Sequence, residues 1–312
     1  MAEEKIDIII CTFNNEKIIG QCLESVKKQT YKKFCCFVVD DNSFDGTVDI
    51  IKNNYPWVKI IRKEKNTGPS ISRNIGIKAT SAEFIVFMDS DVVLEKNWMK
   101  KQIKEMEGSA GIIGAKLLYE NKTINSAGGS LTRLGFGFDR GRGSKNKYNK
   151  KEKVIYVCSA VCIVKRALLE EIGLFDEKYF YPHEDTDLGW RANIAGYDVI
   201  FNPDAVALHL EGQTTKTMPR KVAFNVIKNR VRSILKNYEA KNIVKYLPVH
   251  SIIISTDIIL RGNRTAKIKG ILWNIWNISD TLKERRKVQK TRRRKDSEIK
   301  KLFDNRLLEI II

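Results

Sequence analysis

The chain has few of the residues that would staple or anchor it. Its six cysteines (Cys11, Cys22, Cys35, Cys36, Cys158 and Cys162) include no CxxC pair and no regular spacing. That excludes a zinc or disulfide framework and fits buried thiols in a reducing compartment. No 20-residue apolar span occurs. In the longest candidate, 243–260, His250 and Asp257 interrupt the run, so no membrane-spanning helix is expected and an amphipathic, interface-lying region is. The start, MAEEKIDIIICTF, is acidic and only briefly apolar, which predicts neither a signal peptide nor an anchor and a cytoplasmic beginning. Acid is also scarce: 37 Asp and Glu stand against 56 Lys and Arg, for a net charge of +19. Such a balance suits an anionic partner, whether nucleic acid, a membrane surface or a phosphorylated substrate.

What is present is a 43% hydrophobic content, enough for a substantial core in 312 residues. Short β-type runs alternate with helical stretches through the first third: strands at 6–11, 34–40, 58–62 and 84–88, helices at 16–29, 47–53, 69–78 and 97–107. Apolar runs in this rhythm predict βαβ units and a mostly parallel sheet covered on both faces. In an open sheet of that kind ligands bind beyond the carboxyl ends of the strands. The residues there are Thr12-Phe13-Asn14-Asn15, Asp40-Asp41-Asn42-Ser43 and Asp89-Ser90-Asp91, so three strands deliver polar side chains to one rim. Between 119 and 153 the chain turns glycine-rich and basic, which reads as a lid, a binding loop or a disordered segment. Its GFGFDRG has no feeding strand or following helix and carries little weight as a nucleotide loop.

Three constellations have chemical potential. Asp89 and Asp91 sit one residue apart after an apolar strand. Extended backbone would point both the same way, to grip one cation or to divide a cation and a ribose hydroxyl between them. The bland reading is a turn with solvated aspartates; the strand before it favours function. His183-Glu184-Asp185-Thr186-Asp187 opens a helix, where carboxylates favour the amino end of the dipole. Asp187 and Arg191 read as an ordinary i,i+4 ion pair, but three acids in four positions exceed what a cap needs, and one can accept a proton from an attacking hydroxyl. His209 ends the apolar run 205–208 and reads alone as a core or surface histidine, or as a metal ligand if Asp91 already holds a cation. Arg73, in NTGPSISRNIG, is a solvated helix charge or a contact to diphosphate or base. Asp45-Gly46-Thr47 reads as a turn and helix start.

Taken together, IDIIICTFNN, VVDDNSFDGT, NTGPSISRNIG, FMDSDVV and YPHEDTDLGWRANIAGY resemble the inverting nucleotide-sugar glycosyltransferases of family 2, over about the first 212 residues. The resemblance implies a GT-A fold: a Rossmann-like, mostly parallel mixed α/β sheet flanked by helices, here with a helical C-terminal extension. It implies that Thr12, Asp41 and Arg73 contact the nucleoside, that Asp89 holds the ribose or diphosphate side, and that Asp91 binds Mg²⁺ or Mn²⁺. Asp185, paired with Glu184, falls on the family's general base, and His209 on a histidine that some members add to the metal. Cys11 departs from the proline usual in the family.

The resemblance divides the chain into a catalytic domain, 1–212, and a basic amphipathic helical region, 213–312, with helices expected at 222–238, 243–260 and 266–282. That region resembles the tails of members acting on lipid-linked saccharides, which implies a saccharide or lipid-linked acceptor and peripheral attachment to the cytoplasmic face of a membrane. Residues 283–301 hold eleven Lys or Arg, a charge suited to anionic headgroups. Two other classes stand beside this one. A sugar nucleotidyltransferase shares an α/β nucleotide site and metal-binding aspartates, but lacks the Glu-Asp helix start. A non-catalytic basic membrane or nucleic-acid module would not need Asp89, Asp91 and Asp185 together, and aromatic interleaving in the tail is sparse, so no nucleic acid is expected.

Overall fold

Strand β1 (Ile6–Thr12) shows how the sheet is specified. Ile6, Ile8 and Ile10 enter one apolar layer and Ile9 the opposite one, because successive side chains of a strand alternate faces. In the computed structural model, which describes residues 5–145, 147–210 and 218–304, the same two-faced burial recurs in β2 (Phe34–Asp40) and β4 (Phe84–Asp89). Between them run α1 (Ile19–Lys27), α2 (Thr47–Asn54), β3 (Lys59–Arg62) and α3 (Pro69–Lys78). Strands β4, β1, β2 and β3 lie side by side and parallel. Asp45 makes the expected turn: its Oδ1 accepts from the Thr47 amide at 3.1 Å.

Past β4 the sheet becomes mixed. β5 (Val92–Leu94), α4 (Trp98–Ile103), β6 (Ala110–Leu118), β11 (Val161–Lys165) and β12 (Asp198–His209) complete it in the order β12-β6-β11-β4-β1-β2-β3. β11 is antiparallel to both neighbours, and β12 is parallel to β6. The described residues of the glycine-rich stretch hold short strands joined by turns: β7 (Ile124–Ser126), a hairpin of β8 (Gly129–Leu131) and β9 (Gly137–Asp139), and β10 (Glu152–Lys153). Ile124, Ala127, Leu131 and Leu134 are buried there, and so few apolar residues among many glycines hide a strand period from sequence.

Helices α5 (Arg166–Ile172) and α6 (Glu184–Ile194) precede β12, and α7 (Pro219–Asn237), α8 (Ala240–Leu260), α9 (Arg264–Trp276), α10 (Ile278–Lys290) and α11 (Asp296–Ile299) follow it. The single helix expected over 266–282 is broken at Asn277. The 212/213 boundary lies outside the described residues. Across it, Leu131, Tyr156 and Trp190 share one apolar cluster with Ile234, Tyr238, Tyr246 and Phe303.

The basic tail is largely committed to holding the fold. Arg293 donates to the Ala195 carbonyl at 2.9 Å and Arg294 to the Gly196 carbonyl at 2.7 Å, both just past the end of α6, and Arg294 also pairs with the Asp198 carboxylate at the start of β12 at 2.8 Å. Arg285 donates to the Leu235 carbonyl at 2.8 Å, at the end of α7. Cations belong at helix C-termini, where carbonyls lack intrahelical partners. Helix α8 corrects the sequence reading in the other direction. Its 21 residues are long and apolar enough to cross a membrane by length and composition. His250 does not interrupt its outer face because it is fully buried, and Asp257 is paired with Lys267 at 2.6 Å. Asn242, Tyr246, His250 and Ile254, four residues apart, dock the helix lengthwise on the protein, while Val244, Ile252, Ile259 and Leu260 stay exposed.

Candidate active site

A cavity of about 480 Å³ opens at the carboxyl ends of β1, β2 and β4. Thr12, Asp41, Arg73, Asp89, Asp91, Glu184, Asp185 and His209, all expected from sequence, line it together. Thr12 is buried, with no partner for its Oγ1 among the described residues. Asp41 accepts from the amides of Thr67 at 2.9 Å and Gly68 at 2.8 Å and pairs with Lys63, so its carboxylate anchors the loop leading into α3. Gly68 has φ +90°, and a Cβ there would meet the Phe180 ring at 2.7 Å; only glycine suits both demands.

Asp89 ends β4, and Ser90 and Asp91 form a turn rather than continuing the extended backbone, yet ligand atoms of Asp89, Asp91 and His209 lie within 4.8 Å of one another. The cause is β5, a strand not evident from sequence. It pairs with β12 so that His209 stands opposite Val92, which brings His209 Nε2 to 3.3 Å from Asp91 Oδ1. His209 Nδ1 lies 3.3 Å from Asn125 Oδ1; a hydrogen bond there orients the ring, as second partners of metal-binding histidines do. Two carboxylates and an imidazole open to a cavity suit Mn²⁺ or Mg²⁺, which keep sites for phosphate oxygens.

Arg73 is not a solvated helix charge. Fully enclosed, it donates to Asp89 Oδ1 at 3.0 Å and Glu184 Oε1 at 3.1 Å, so one guanidinium joins the aspartate pair of β4 to the start of α6. Burial raises the Asp89 pKa, and Arg73 opposes that shift. Glu184 is buried and its pKa is likewise raised by burial. Asp185, beside it, is partly open to the cavity. Burial, then the charges of Glu184 and Asp139, push its pKa up to about 8, where a carboxylate is an effective proton acceptor.

The segment carrying these acids is clamped by α7. Asp176 accepts from Lys236 Nζ at 2.6 Å and Arg232 Nε at 2.8 Å. Asp187 binds Lys236 at 3.1 Å and Asn237 Nδ2 at 3.1 Å, besides the expected pair with Arg191 Nε at 2.8 Å. Asn229 Nδ2 donates to the Pro182 carbonyl at 2.6 Å. Sequence reading missed Asn125, Asp139, Tyr181, Lys221 and Asn225, which also line the cavity. Asn125 and Asp139 stood in the glycine-rich stretch already read as a lid, a binding loop or a disordered segment, and Tyr181 in the YPHEDTD run. Lys221 and Asn225 carried no local signal.

A family model for glycosyl transferase family 2 matches residues 7–173. Glycosyltransferase AglE of Haloferax volcanii is 26% identical over 212 residues, covering 65% of this chain and 66% of that protein. The poly(ribitol-phosphate) beta-N-acetylglucosaminyltransferase TarS of Staphylococcus aureus is 30% identical over 185 residues, 58% of this chain and 30% of its own length. The matches thus span less than two thirds of these relatives. Among solved structures, S. aureus TarS in complex with UDP superposes with a TM-score of 0.58 at 19% identity, covering 98% of this chain and 86% of that one. A mannosyltransferase from Pyrobaculum calidifontis, in complex with GDP-Man and Mn²⁺, gives 0.57 at 15%, covering 97% and 88%. The fold is the GT-A arrangement of nucleotide-sugar transferases. The chain belongs to glycosyl transferase family 2.

Proposed function

We propose that the protein is an inverting glycosyltransferase that moves a sugar from a nucleotide-sugar donor to a hydroxyl of a saccharide or lipid-linked saccharide acceptor. The observation that carries this is one cavity holding both a metal-type cluster, Asp89, Asp91 and His209, and a carboxylate with a raised pKa, Asp185, whose neighbour Glu184 is joined to Asp89 through Arg73. Thr12, Asp41 and Asp89 serve the donor, with Arg73 holding Asp89 in place. Asp91 and His209 hold Mg²⁺ or Mn²⁺, which when bound supplies charge compensation for the departing nucleoside diphosphate. Asp185 accepts the proton of the acceptor hydroxyl as it attacks the anomeric carbon, and Glu184 keeps the base poised through its own charge. A single displacement of this kind inverts the anomeric centre.

Region 213–312 is the acceptor and membrane side in this reading. Ile252, Ile259, Leu260, Ile275 and Trp276 are exposed apolar side chains of α8 and α9, interleaved with exposed Lys245, Arg264 and Lys269. Such a surface suits the headgroup layer of an anionic membrane, and this supports the reading of peripheral attachment at the cytoplasmic face.

A panel of nucleotide sugars scored for metal-dependent release of nucleoside diphosphate identifies the donor. Asp91→Ala is expected to abolish metal-dependent thermal stabilisation by that donor. Asp185→Asn is expected to keep the stabilisation and to lose transfer by about 10²- to 10⁴-fold. Normal turnover in Asp185→Asn would remove it as the base.

A further inference from the structure

The hairpin of β8 and β9 lies against the first turn of α6. A Cβ on Gly137 would come to 3.1 Å from Thr186 Oγ1 and 3.6 Å from His183 Cε1, so a residue without a side chain lets β9 approach the segment that bears the base. Asp139 stands two residues further along the same strand, and side chains two apart in a strand share a face. Its carboxylate is thereby directed to the side that meets α6, where Asp139 and Asp185 line one cavity and are both partly open to it. The Asp139 charge raises the Asp185 pKa after burial and Glu184 do, in agreement with that approach.

Tyr181 lines the same cavity, shortly before Glu184 in the chain. It is 40% exposed, and among the described residues it is the one large exposed hydrophobic side chain in that cavity. Its ring meets no other ring or cation and its hydroxyl makes no hydrogen bond among the described residues. Burial, then the charge of Glu184, with Cys158, Asp185 and Asp139 behind it, raise the Tyr181 pKa, so the phenol stays protonated amid the acids of the cavity. The backbone carrying the ring is held by α7, since Asn229 Nδ2 donates to the Pro182 carbonyl at 2.6 Å. An aromatic ring fixed beside carboxylates offers an apolar face together with hydrogen-bond acceptors. Positive charge at this end is spent or outlying: Arg73 serves Asp89 and Glu184, and the other cations of the cavity, Arg142 and Lys221, are exposed.

We propose that Asp139 and Tyr181 form the acceptor subsite and that it takes a neutral sugar ring: the Tyr181 ring supports an apolar face of the pyranose, and Asp139 accepts hydrogen bonds from hydroxyls next to the one that Asp185 deprotonates. A pyranose presents that combination, with C–H groups on a face and hydroxyls around its edge. Ionised carboxylates accept hydrogen bonds and donate none, so Asp139 and Asp185 receive hydroxyl protons and disfavour a phosphate or carboxylate set beside them. The inference rests on the glycosyl-transfer reading, and it adds which residues select the acceptor and that the sugar at the attacking end carries no charge.

The probes are the methyl glycosides of glucose, galactose, mannose and N-acetylglucosamine, added to the full chain after UDP or GDP with Mg²⁺ has filled the donor site. Saturation-transfer NMR should show ring protons of at least one glycoside against the protein, and titration gives its Kd. Tyr181→Ala and Asp139→Ala should each weaken that binding about 10-fold, while Tyr181→Phe should stay within about twofold of wild type. Glycerol 3-phosphate should not displace the glycoside. No binding of any of these glycosides by wild type, or equal binding by both alanine variants, overturns the proposal, and displacement by glycerol 3-phosphate overturns the neutral acceptor. In protein labelled with carbon-13 at its aspartate carboxyls, the Asp185 titration, identified by its absence in Asp185→Asn, should move to lower pH in Asp139→Asn. The other groups around Asp185, namely Glu184 on α6, Arg73 on α3, and Tyr156, Cys158 and Tyr181, are all kept in that variant. An unmoved titration would set Asp139 apart from the base and overturn its role. Thermal stabilisation by nucleoside diphosphate and Mg²⁺, measured in every variant, reports separately on the donor site. Its absence throughout would sink the glycosyl-transfer reading, and its presence without glycoside binding would sink the subsite alone.

Discussion

Replacing Asp176 by asparagine tests whether α7 holds the catalytic segment in place. The carboxylate is 8% exposed and joins Lys236 at 2.6 Å and Arg232 at 2.8 Å. Removing one partner of a buried ion pair costs about 3–5 kcal/mol, chiefly because the other charge is left uncompensated. Here neither cation is stranded: Lys236 keeps Asp187 at 3.1 Å, and Arg232 keeps Asp280 at 2.8 Å and Thr281 at 2.8 Å. The loss should therefore sit at the low end, about 3 kcal/mol. Unfolding entropy of about 2.1 cal/mol/K per residue gives about 0.65 kcal/mol/K for this chain, so the melting temperature should fall by about 5 °C. Lys236 and Arg232 lower the pKa of Asp176 far below the usual range. A depressed folded pKa contributes stability that is present above the unfolded value, about 3.9, and is lost as pH falls through the folded one. The gap between wild type and Asp176→Asn should thus be constant from pH 6 to 8 by calorimetry and narrow only in strong acid. Asp176→Asn combined with Lys236→Met should cost less than the sum of the two changes, since they share an interaction. A melting temperature within about 1 °C of wild type, with additive effects, would show that the network does not hold the segment.

Two further outcomes follow from the same geometry. Asp185 must be ionised to act, and its pKa is raised to about 8, so transfer should rise through pH 8, be half-maximal near it and level off only above it. Glu184→Gln removes the like charge that helps raise that pKa and should move the rising limb to lower pH; a limb left in place would separate Glu184 from the base. At the membrane side, Ile252→Ser with Trp276→Ser should weaken sedimentation with anionic vesicles at low salt while donor hydrolysis continues. Equal sedimentation would show that α8 and α9 do not carry attachment.

The sequence by itself determined the βαβ rhythm, the strand ends and the identity of the acids, because continuous apolar runs and terminal polar clusters are local patterns. Asp89, Asp91 and Asp185 were legible in that way, and His209 only conditionally, as a ligand if Asp91 held a cation. Tertiary structure decided what each charge meets. Pairing of β5 with β12 set His209 beside Asp91, and Arg73 closed on Asp89 and Glu184 across 16 and 111 residues of chain. The same distinction separates Arg293 and Arg294, which donate to the Ala195 and Gly196 carbonyls, from Arg230, which has the same charge but stacks over Phe136 and makes no ion pair among the described residues. A cation's sequence gives its charge, but its partner depends on packing between segments far apart in the chain, and burial then fixes what that charge costs and what it can bind.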